Sequence, residues 1–447
     1  MKKEVVSFVL FGGTGDLTRR KLVPAFADLV HRGELSERST IIGISRKDLT
    51  DKQYKKFLID SISGKKEKAH IKKMDVKYIK GDFSKPGGIG ALKKELAHCE
   101  ITGCNRIYYL STSYNFFPVI VKELKRLGLS KVVKGFTRVM FEKPFGSGLK
   151  SSEKLDRGIH SVFKEKDVYR IDHYLAKETV LNLNTLLFSN PILYSTLNNK
   201  FVESVEIRVD ESLGVGNRLE YYNESGALRD MVQNHLLQVL SLVLMDLPKS
   251  LKPEKVHDEK VKVLKKLELS DIKKQVFGQY ASYASELKKK GLKDKKTETF
   301  VKLELNCKSK RWDGVPLILR TGKKLPDKKG CIEIKFKPSL LNKSSGSNRL
   351  VIDIYPKQDA TLWLNSRDTH SKGMSKPVKF EFCRECVFGP NTADEYSVLI
   401  DEAVSGNKTL FARDDEVKEA WKIVDSIEKV KKKCKFIVYK DEGDPED

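Results

Sequence analysis

The densest run of reactive side chains in the sequence is Arg170-Ile171-Asp172-His173-Tyr174-Leu175-Ala176-Lys177-Glu178. If Leu175 and Val180 lie on a helix that begins near Asp172, then His173 and Lys177, four apart, share one face. A histidine beside a lysine makes a two-point clamp for a dianion such as a phosphate monoester. Asp172 is then directed elsewhere and is available for a different task. An amphipathic surface helix with incidental charges would look similar, so the stretch gains meaning only from the rest of the chain.

Three further segments carry groups with possible chemistry. Gly226–Leu247 reads as a long, strongly apolar helix that contains Asp230, Asn234 and His235. On an α-helix Asp230 and His235, five apart, are separated by roughly 140° and pair poorly, so a carboxylate orienting His235 must come from another segment. Glu142-Lys143-Pro144-Phe145-Gly146 follows a strand and puts Lys143 at the carboxyl edge of a sheet, where ligands of open α/β sheets bind. A cis bond before Pro144 is one way to fix its angle. Cys383-Arg384-Glu385-Cys386 is a lone CxxC with only His370 nearby in sequence, and it is expected to be two ordinary thiols.

The elements that must position these groups begin with a strand (Val5–Phe11), a glycine turn (Gly12-Gly13-Thr14-Gly15-Asp16-Leu17) and a helix (Thr18–Val30). This arrangement seats a dinucleotide pyrophosphate on a helix N-terminus, and the glycines let the backbone turn tightly and approach the phosphate. The spacing departs from GxGxxG at Thr18 and is a weak signal alone. A second strand, Thr40–Ile44, ends in Ser45-Arg46-Lys47. An acidic residue at that tip would suit a ribose hydroxyl; Arg46 suits a 2′-phosphate, which favours NADP over NAD.

Strand and helix then alternate. Helical stretches fall at Lys52–Ile62, Gly90–Cys99 and Phe117–Leu127, and strands at Val76–Ile79, Arg106–Leu110 and Arg138–Phe141. Residues 1–171 are therefore expected to form a doubly wound, Rossmann-like parallel sheet, with one boundary before a second domain, 172–447. In that domain Lys200–Val209 alternates like a half-exposed strand. A Lys-rich connection, Lys249–Lys296, precedes strand-like runs at Thr299–Asn306, Pro316–Leu319, Ile332–Lys337, Arg349–Tyr355, Ala360–Leu364 and Val378–Phe382. They predict a large, mainly antiparallel sheet, with helices at Asp394–Ser405 and Asp415–Val430. The fold class is thus α/β plus α+β.

At 447 residues, 39% hydrophobic and 33% charged, the chain reads as a soluble globular protein of two or more domains. No apolar run reaches the roughly 20 residues of a membrane span. Val5–Phe11 is broken by Ser7 and runs into Gly12-Gly13, which suits a buried strand better than a signal peptide. Seven scattered cysteines argue against a disulfide framework and for a reducing compartment, hence the cytoplasm. The net charge of +24 invites a nucleic-acid reading, but the lysines come in small dispersed clusters without interleaved aromatics. Diffuse positive charge also favours anionic substrates and cofactors.

Taken in order, G-x-x-G-D-L-x-x-R-K at Gly12–Lys21, E-K-P-F-G at Glu142–Gly146, R-I-D-H-Y-L-x-K-E at Arg170–Glu178, R-D-x-x-Q-N-H-L-L-Q at Arg229–Gln238, D-E-K-V-K-V-L at Asp258–Leu264 and R-W-D-G-V-P-x-x-L-R-x-G-K at Arg311–Lys323 resemble the glucose-6-phosphate 1-dehydrogenase family, from Val5 to about Val424. The resemblance implies oxidation of the C1 hydroxyl of D-glucose 6-phosphate to the 6-phosphogluconolactone, with hydride transfer to NADP. It implies His235 as general base, Asp172 as the carboxylate that holds its imidazole, and Lys143 as a third catalytic group touching both substrate and cofactor. A histidine of ordinary pKa, ~6.5, is mostly neutral at pH 7 and can take a proton. His173, Tyr174 and Lys177 would bind the sugar phosphate. Glu211, Asp230, Lys143, Lys323 and Lys328 would complete the substrate site. Gly12, Gly13, Thr14, Gly15, Asp16, Leu17 and Arg46 would hold the cofactor. No metal, nucleic acid or membrane is implied, and the assembly would be a homodimer through the large sheet, or a tetramer.

The chain also departs from the family pattern. Ser111-Thr112-Ser113-Tyr114 replaces a proline-containing turn over the cofactor, and Glu211-Ser212-Leu213-Gly214 replaces E-P-x-G. Tyr355 stands where many members have a glutamine near the substrate. Asp353 falls at a basic position of the second, structural NADP site of animal-type members, and the chain stops soon after Tyr439, so that site is expected to be missing. Two alternatives remain: a sugar oxidoreductase of the glucose-fructose-oxidoreductase type, for which free glucose would serve as well as its phosphate, and an inactive relative that binds nucleic acid through its basic surface.

Overall fold

The computed structural model describes residues 4–97, 104–338, 347–367, 375–389 and 393–446. They form two compact units, Met1–Ala176 with Ala393–Asp414, and Lys177–Thr392 with Asp415–Asp447. Among the described residues no helix is long and apolar enough to cross a membrane.

In the first unit the apolar runs become strands β1 (Val6–Phe11), β2 (Thr40–Ser45), β3 (Asp75–Lys80), β4 (Asn105–Leu110), β5 (Thr137–Phe141) and β6 (Val168–Ile171). They pair in parallel in the order β3-β2-β1-β4-β5-β6. A parallel sheet covered by helices needs apolar side chains on both faces, and every residue of β1 is buried. The strand order reverses between β1 and β4, and open α/β sheets bind ligands in the crevice at such a reversal. Of the helix expected over Gly90–Cys99, Leu92–Glu95 is α-helical, and residues 98–103 lie outside the described residues.

The sequence places one boundary between residues 171 and 172, whereas the first unit takes back Ala393–Asp414. The reason lies in pairing and packing that composition does not reveal. Phe411–Ala412 adds an antiparallel strand to β6, opposite Ile171 and Arg170. Helix Glu395–Ser405, N-capped by Asp394, packs on helix Val23–Arg32.

The second unit is built on β7 (Val202–Asp210), β8 (Leu267–Leu269), β9 (Val276–Tyr280), β10 (Phe300–Cys307), β11 (Leu317–Gly322), β12 (Lys329–Phe336), β13 (Arg349–Tyr355), β14 (Ala360–Arg367) and β15 (Ser375–Phe382), with a last strand at Lys435–Tyr439. Their order is β15-β14-β13-β12-β7-β11-β10-β9 and then the last strand, with β8 beside β10. All pairs are antiparallel except β7 with β11 and β9 with the last strand. The stretch read as a connection, Lys249–Lys296, holds helices Pro253–Leu264 and Tyr283–Lys289 as well as β8 and β9. Lysines on their exposed faces masked the pattern.

Two local expectations are corrected. Cys383 and Cys386 are joined as a disulfide with Cα atoms 5.3 Å apart, and Cys104 is disulfide-bonded as well. The one-turn spacing of CxxC puts the two sulfurs within bridging reach. The segment read as one α-helix over Gly226–Leu247 is a π-helix at Leu228–Leu236 followed by an α-helix at Leu237–Leu244.

Candidate active site

Each candidate side chain is held by a local feature of its own unit. In the first unit β1 turns at Gly12, whose φ of +92° is a left-handed conformation that favours glycine. A Cβ there would meet the Ser111 carbonyl at 2.5 Å, so the Ser111 turn packs directly on the glycine turn. The N–H groups of Gly12 and Gly13 both donate to the Ile44 carbonyl, at 3.0 and 3.1 Å, and that of Gly15 donates to the Gly12 carbonyl at 2.8 Å. They are therefore committed to shaping the turn. Arg19 N–H closes the first helical turn onto Gly15, which leaves Asp16, Leu17 and Thr18 as the amides an α-helix start cannot satisfy internally. This bare, positively polarised helix end fits a phosphate group, and a pyrophosphate cradle of the kind a dinucleotide needs.

At the end of β2, Ser45 is buried and hydrogen-bonded to Thr14 at 2.9 Å and to the Tyr78 hydroxyl at 2.7 Å. Arg46, the next residue, is exposed. Asp16 is exposed too and bridges to Arg20 at 2.8 Å. The end of β5 delivers Glu142 and the half-buried Lys143, and the Lys143–Pro144 bond is cis. Glu142 accepts from the Tyr109 hydroxyl at 2.6 Å. Burial pushes its carboxyl above the ordinary range, against the Tyr109 hydrogen bond and the Lys143 charge. Glu142 and Tyr109 were not singled out from sequence, because nothing in their spacing shows that they meet.

The end of β6 delivers Asp172, and here the expected helix does not form. The Asp172 carboxylate accepts the Tyr174 N–H at 3.0 Å and its carbonyl accepts the Leu175 N–H at 3.0 Å, an Asx turn. Aspartate captures backbone donors in this way and competes with helix formation. The helix starts only at Glu178, with Lys177 extended at φ −68°, ψ 133°. His173 and Lys177 therefore do not share a helical face. Asp172 is 2% exposed, and the rings of His173 and Tyr174 meet edge to face at 5.0 Å.

In the second unit His235 lies in the π-helix and is 1% exposed. There i→i+5 hydrogen bonding replaces i→i+4, so residues five apart stand about one turn apart and the separation of roughly 140° inferred from α-geometry no longer applies to Asp230 and His235. The π-helix is entered through a kink at Gly226, φ +63°. Glu298 accepts the Leu228 N–H at 3.0 Å there, and a Cβ on Gly226 would come within 2.4 Å of its carboxylate. Asp230 is buried and accepts from Tyr221 at 3.3 Å, with Arg218 at 3.6 Å. Burial first, and then the Asp230 charge, push the Tyr221 phenol upward.

Glu211, at the end of β7, forms an ion pair with Lys323, at the end of β11, and Lys323 also lies 5.3 Å from the Tyr222 ring centre. The parallel β7–β11 register, with Asp210 opposite Gly322, makes that pair. Lys177 and Lys328 both stand over the ring of Tyr355, at 5.6 and 5.5 Å. The second unit thus joins Glu211 with Lys323 as an ion pair, and brings Lys177 and Lys328 to one aromatic ring.

Comparison with known proteins supplies the context. The family model for the glucose-6-phosphate dehydrogenase NAD binding domain matches residues 9–182, and that for the C-terminal domain matches residues 184–445. The glucose-6-phosphate 1-dehydrogenase of Borreliella burgdorferi is 39% identical over 96% of this chain and 93% of its own length. That of Bacillus subtilis is 36% identical over 94% of this chain and 90% of its own. A solved glucose-6-phosphate dehydrogenase in complex with its substrate glucose-6-phosphate superimposes with a TM-score of 0.90 at 30% identity, covering 98% of this chain and 95% of that one.

Proposed function

Since the chain belongs to the glucose-6-phosphate dehydrogenase family, matched by both of its domain models, we propose how its own residues carry out the oxidation of glucose 6-phosphate at C1. The product is the 6-phosphoglucono-lactone, and the hydride goes to a nicotinamide dinucleotide bound by the first unit. His235 takes the proton from O1, and Asp172 fixes the imidazole tautomer and stabilises the cation that forms. Lys177 and Lys328, with His173 and Tyr174, bind the phosphate. Glu211, Lys323 and Asp230 hold the sugar hydroxyls so that C1 is presented in one orientation.

The cofactor is NADP in this reading. When bound, it supplies the hydride acceptor. The glycine turn and the amides of Asp16 and Leu17 hold its pyrophosphate, Arg46 its 2′-phosphate, and Lys143 lies at the adjoining sheet edge. The observation that carries the assignment is the near-complete burial of His235 and Asp172, each in a turn or helix of unusual geometry. Burial strengthens the electrostatic support given to a developing cation.

The test is the near-ultraviolet absorbance of reduced nicotinamide with purified protein, glucose 6-phosphate against glucose. Turnover should require the phosphorylated sugar. Equal turnover of free glucose would overturn the phosphate assignment, and salt-sensitive RNA binding without any reduction would favour the inactive relative.

A further inference from the structure

Tyr355 closes β13 opposite Gly330 of β12. A Cβ on Gly330 would lie 2.5 Å from a carbon of the Tyr355 ring, so the ring occupies the notch that a side chain at 330 would fill. Gly330 lies in β12 where the pairing with β13 shifts register, its φ is not positive, and what the position demands is space. The ring seated there has the Lys177 ammonium 5.6 Å from its centre and the Lys328 ammonium 5.5 Å from it. The first approaches from just before helix Glu178–Leu181, the second from two residues ahead of Gly330. All four residues belong to the second unit.

Two ammonium groups that each lie within 5.6 Å of one ring centre repel one another, and an aromatic ring is one of few neutral groups that attracts both. The ring's quadrupole draws each ammonium without neutralising it. A carboxylate in the same position would hold the lysines more firmly but would compete with the ligand. Lysine is a flexible point charge, and restricting two of them beforehand removes ordering cost from binding.

We propose that Tyr355, seated on Gly330, is a positioning residue that gathers Lys177 and Lys328 into a two-cation receptor for the substrate phosphate. This rests on the reading of Lys177 and Lys328 as phosphate ligands. The hydroxyl of Tyr355 has no part in it; the ring face does. The device therefore sets KM for the phosphorylated sugar and leaves the chemical step alone.

Steady-state kinetics of the full-length enzyme test it. Tyr355→Leu should raise KM for glucose 6-phosphate about tenfold, with kcat and the KM for NADP within about twofold of the parent. Tyr355→Phe should restore the parental KM to within about twofold, because the ring suffices. Gly330→Ala should reproduce the KM rise by displacing the ring, yet add nothing in the Tyr355→Leu background. A Tyr355→Phe variant as impaired as Tyr355→Leu, or independent and additive losses in the Gly330→Ala pair, would overturn the proposal. If Tyr355→Leu does not fold, the Phe and Gly330→Ala arms still decide. Failure of the underlying phosphate assignment reads out separately: unaltered enzyme would then turn over free glucose as well as its phosphate.

Discussion

Arg46 is exposed at the tip of β2, where the neighbouring Ser45 is already committed to Thr14 and Tyr78. Of the Ser45-Arg46-Lys47 run, a guanidinium offers the paired donors that fit a phosphate. Arg46→Ala should raise KM for NADP by roughly tenfold or more, the scale of one lost charge-assisted contact, and leave KM for NAD within about twofold. Equal losses for the two cofactors would remove the 2′-phosphate role. At this scale the sequence singles out Asp172, His235, Lys143 and Lys177 because charged or titratable types recur inside apolar frames. It was silent on Glu142 with Tyr109 and on Glu211 with Lys323. Those partnerships are made by pairing between strands distant in sequence.

Between elements, the second unit is tied together by Glu416, His257 and Lys260, all buried. Glu416, on helix Asp414–Val430, meets His257 at 2.6 Å and Lys260 at 3.0 Å on helix Pro253–Leu264. Burial alone would raise the Glu416 carboxyl, but Lys260 and His257 outweigh it and hold it down at about 2. A folded-state pKa below the unfolded value means stability that is present above ~4.3 and is lost as pH falls through the folded pKa. Acid unfolding should accordingly steepen between those two values. Glu416→Gln should cost about 3–5 kcal/mol at neutral pH and flatten the acid limb, since it strands buried Lys260. Denaturant titration of both proteins across pH checks it, and an unchanged midpoint would contradict it.

The same scale shows where periodicity misleads. Apolar residues across Gly226–Leu247 fit an α-helix well, yet the kink at Gly226 and the Glu298 contact lead into a π-helix. Periodicity reports which residues are inside and says little about hydrogen-bond spacing. Conversely, the Asx turn at Asp172 overrode a helical pattern through one local side-chain contact. The six strand-like runs of the large sheet were legible because alternation survives on a half-exposed face, as the burial of β10 shows. The helices and strands within Lys249–Lys296 were not, since lysine carries no period of its own.

Across the whole molecule, the proposed chemistry draws on residues of both units: the glycine turn, Lys143 and Asp172 belong to the first, and His235, Lys177, Lys323 and Lys328 to the second. A net charge of +24 over the chain favours anionic ligands through long-range attraction. The family likeness was legible because its motifs are spread over both units, whereas the return of Ala393–Asp414 to the first unit had no signal in composition. All of the proposed chemistry converges on one proton acceptor. The most direct test is His235→Asn, with turnover and equilibrium binding of glucose 6-phosphate measured on the same preparation. Turnover should fall by about a hundred- to ten-thousand-fold while the substrate Kd stays within about twofold. A variant that keeps most of its turnover, or that loses binding in step with turnover, would contradict the account.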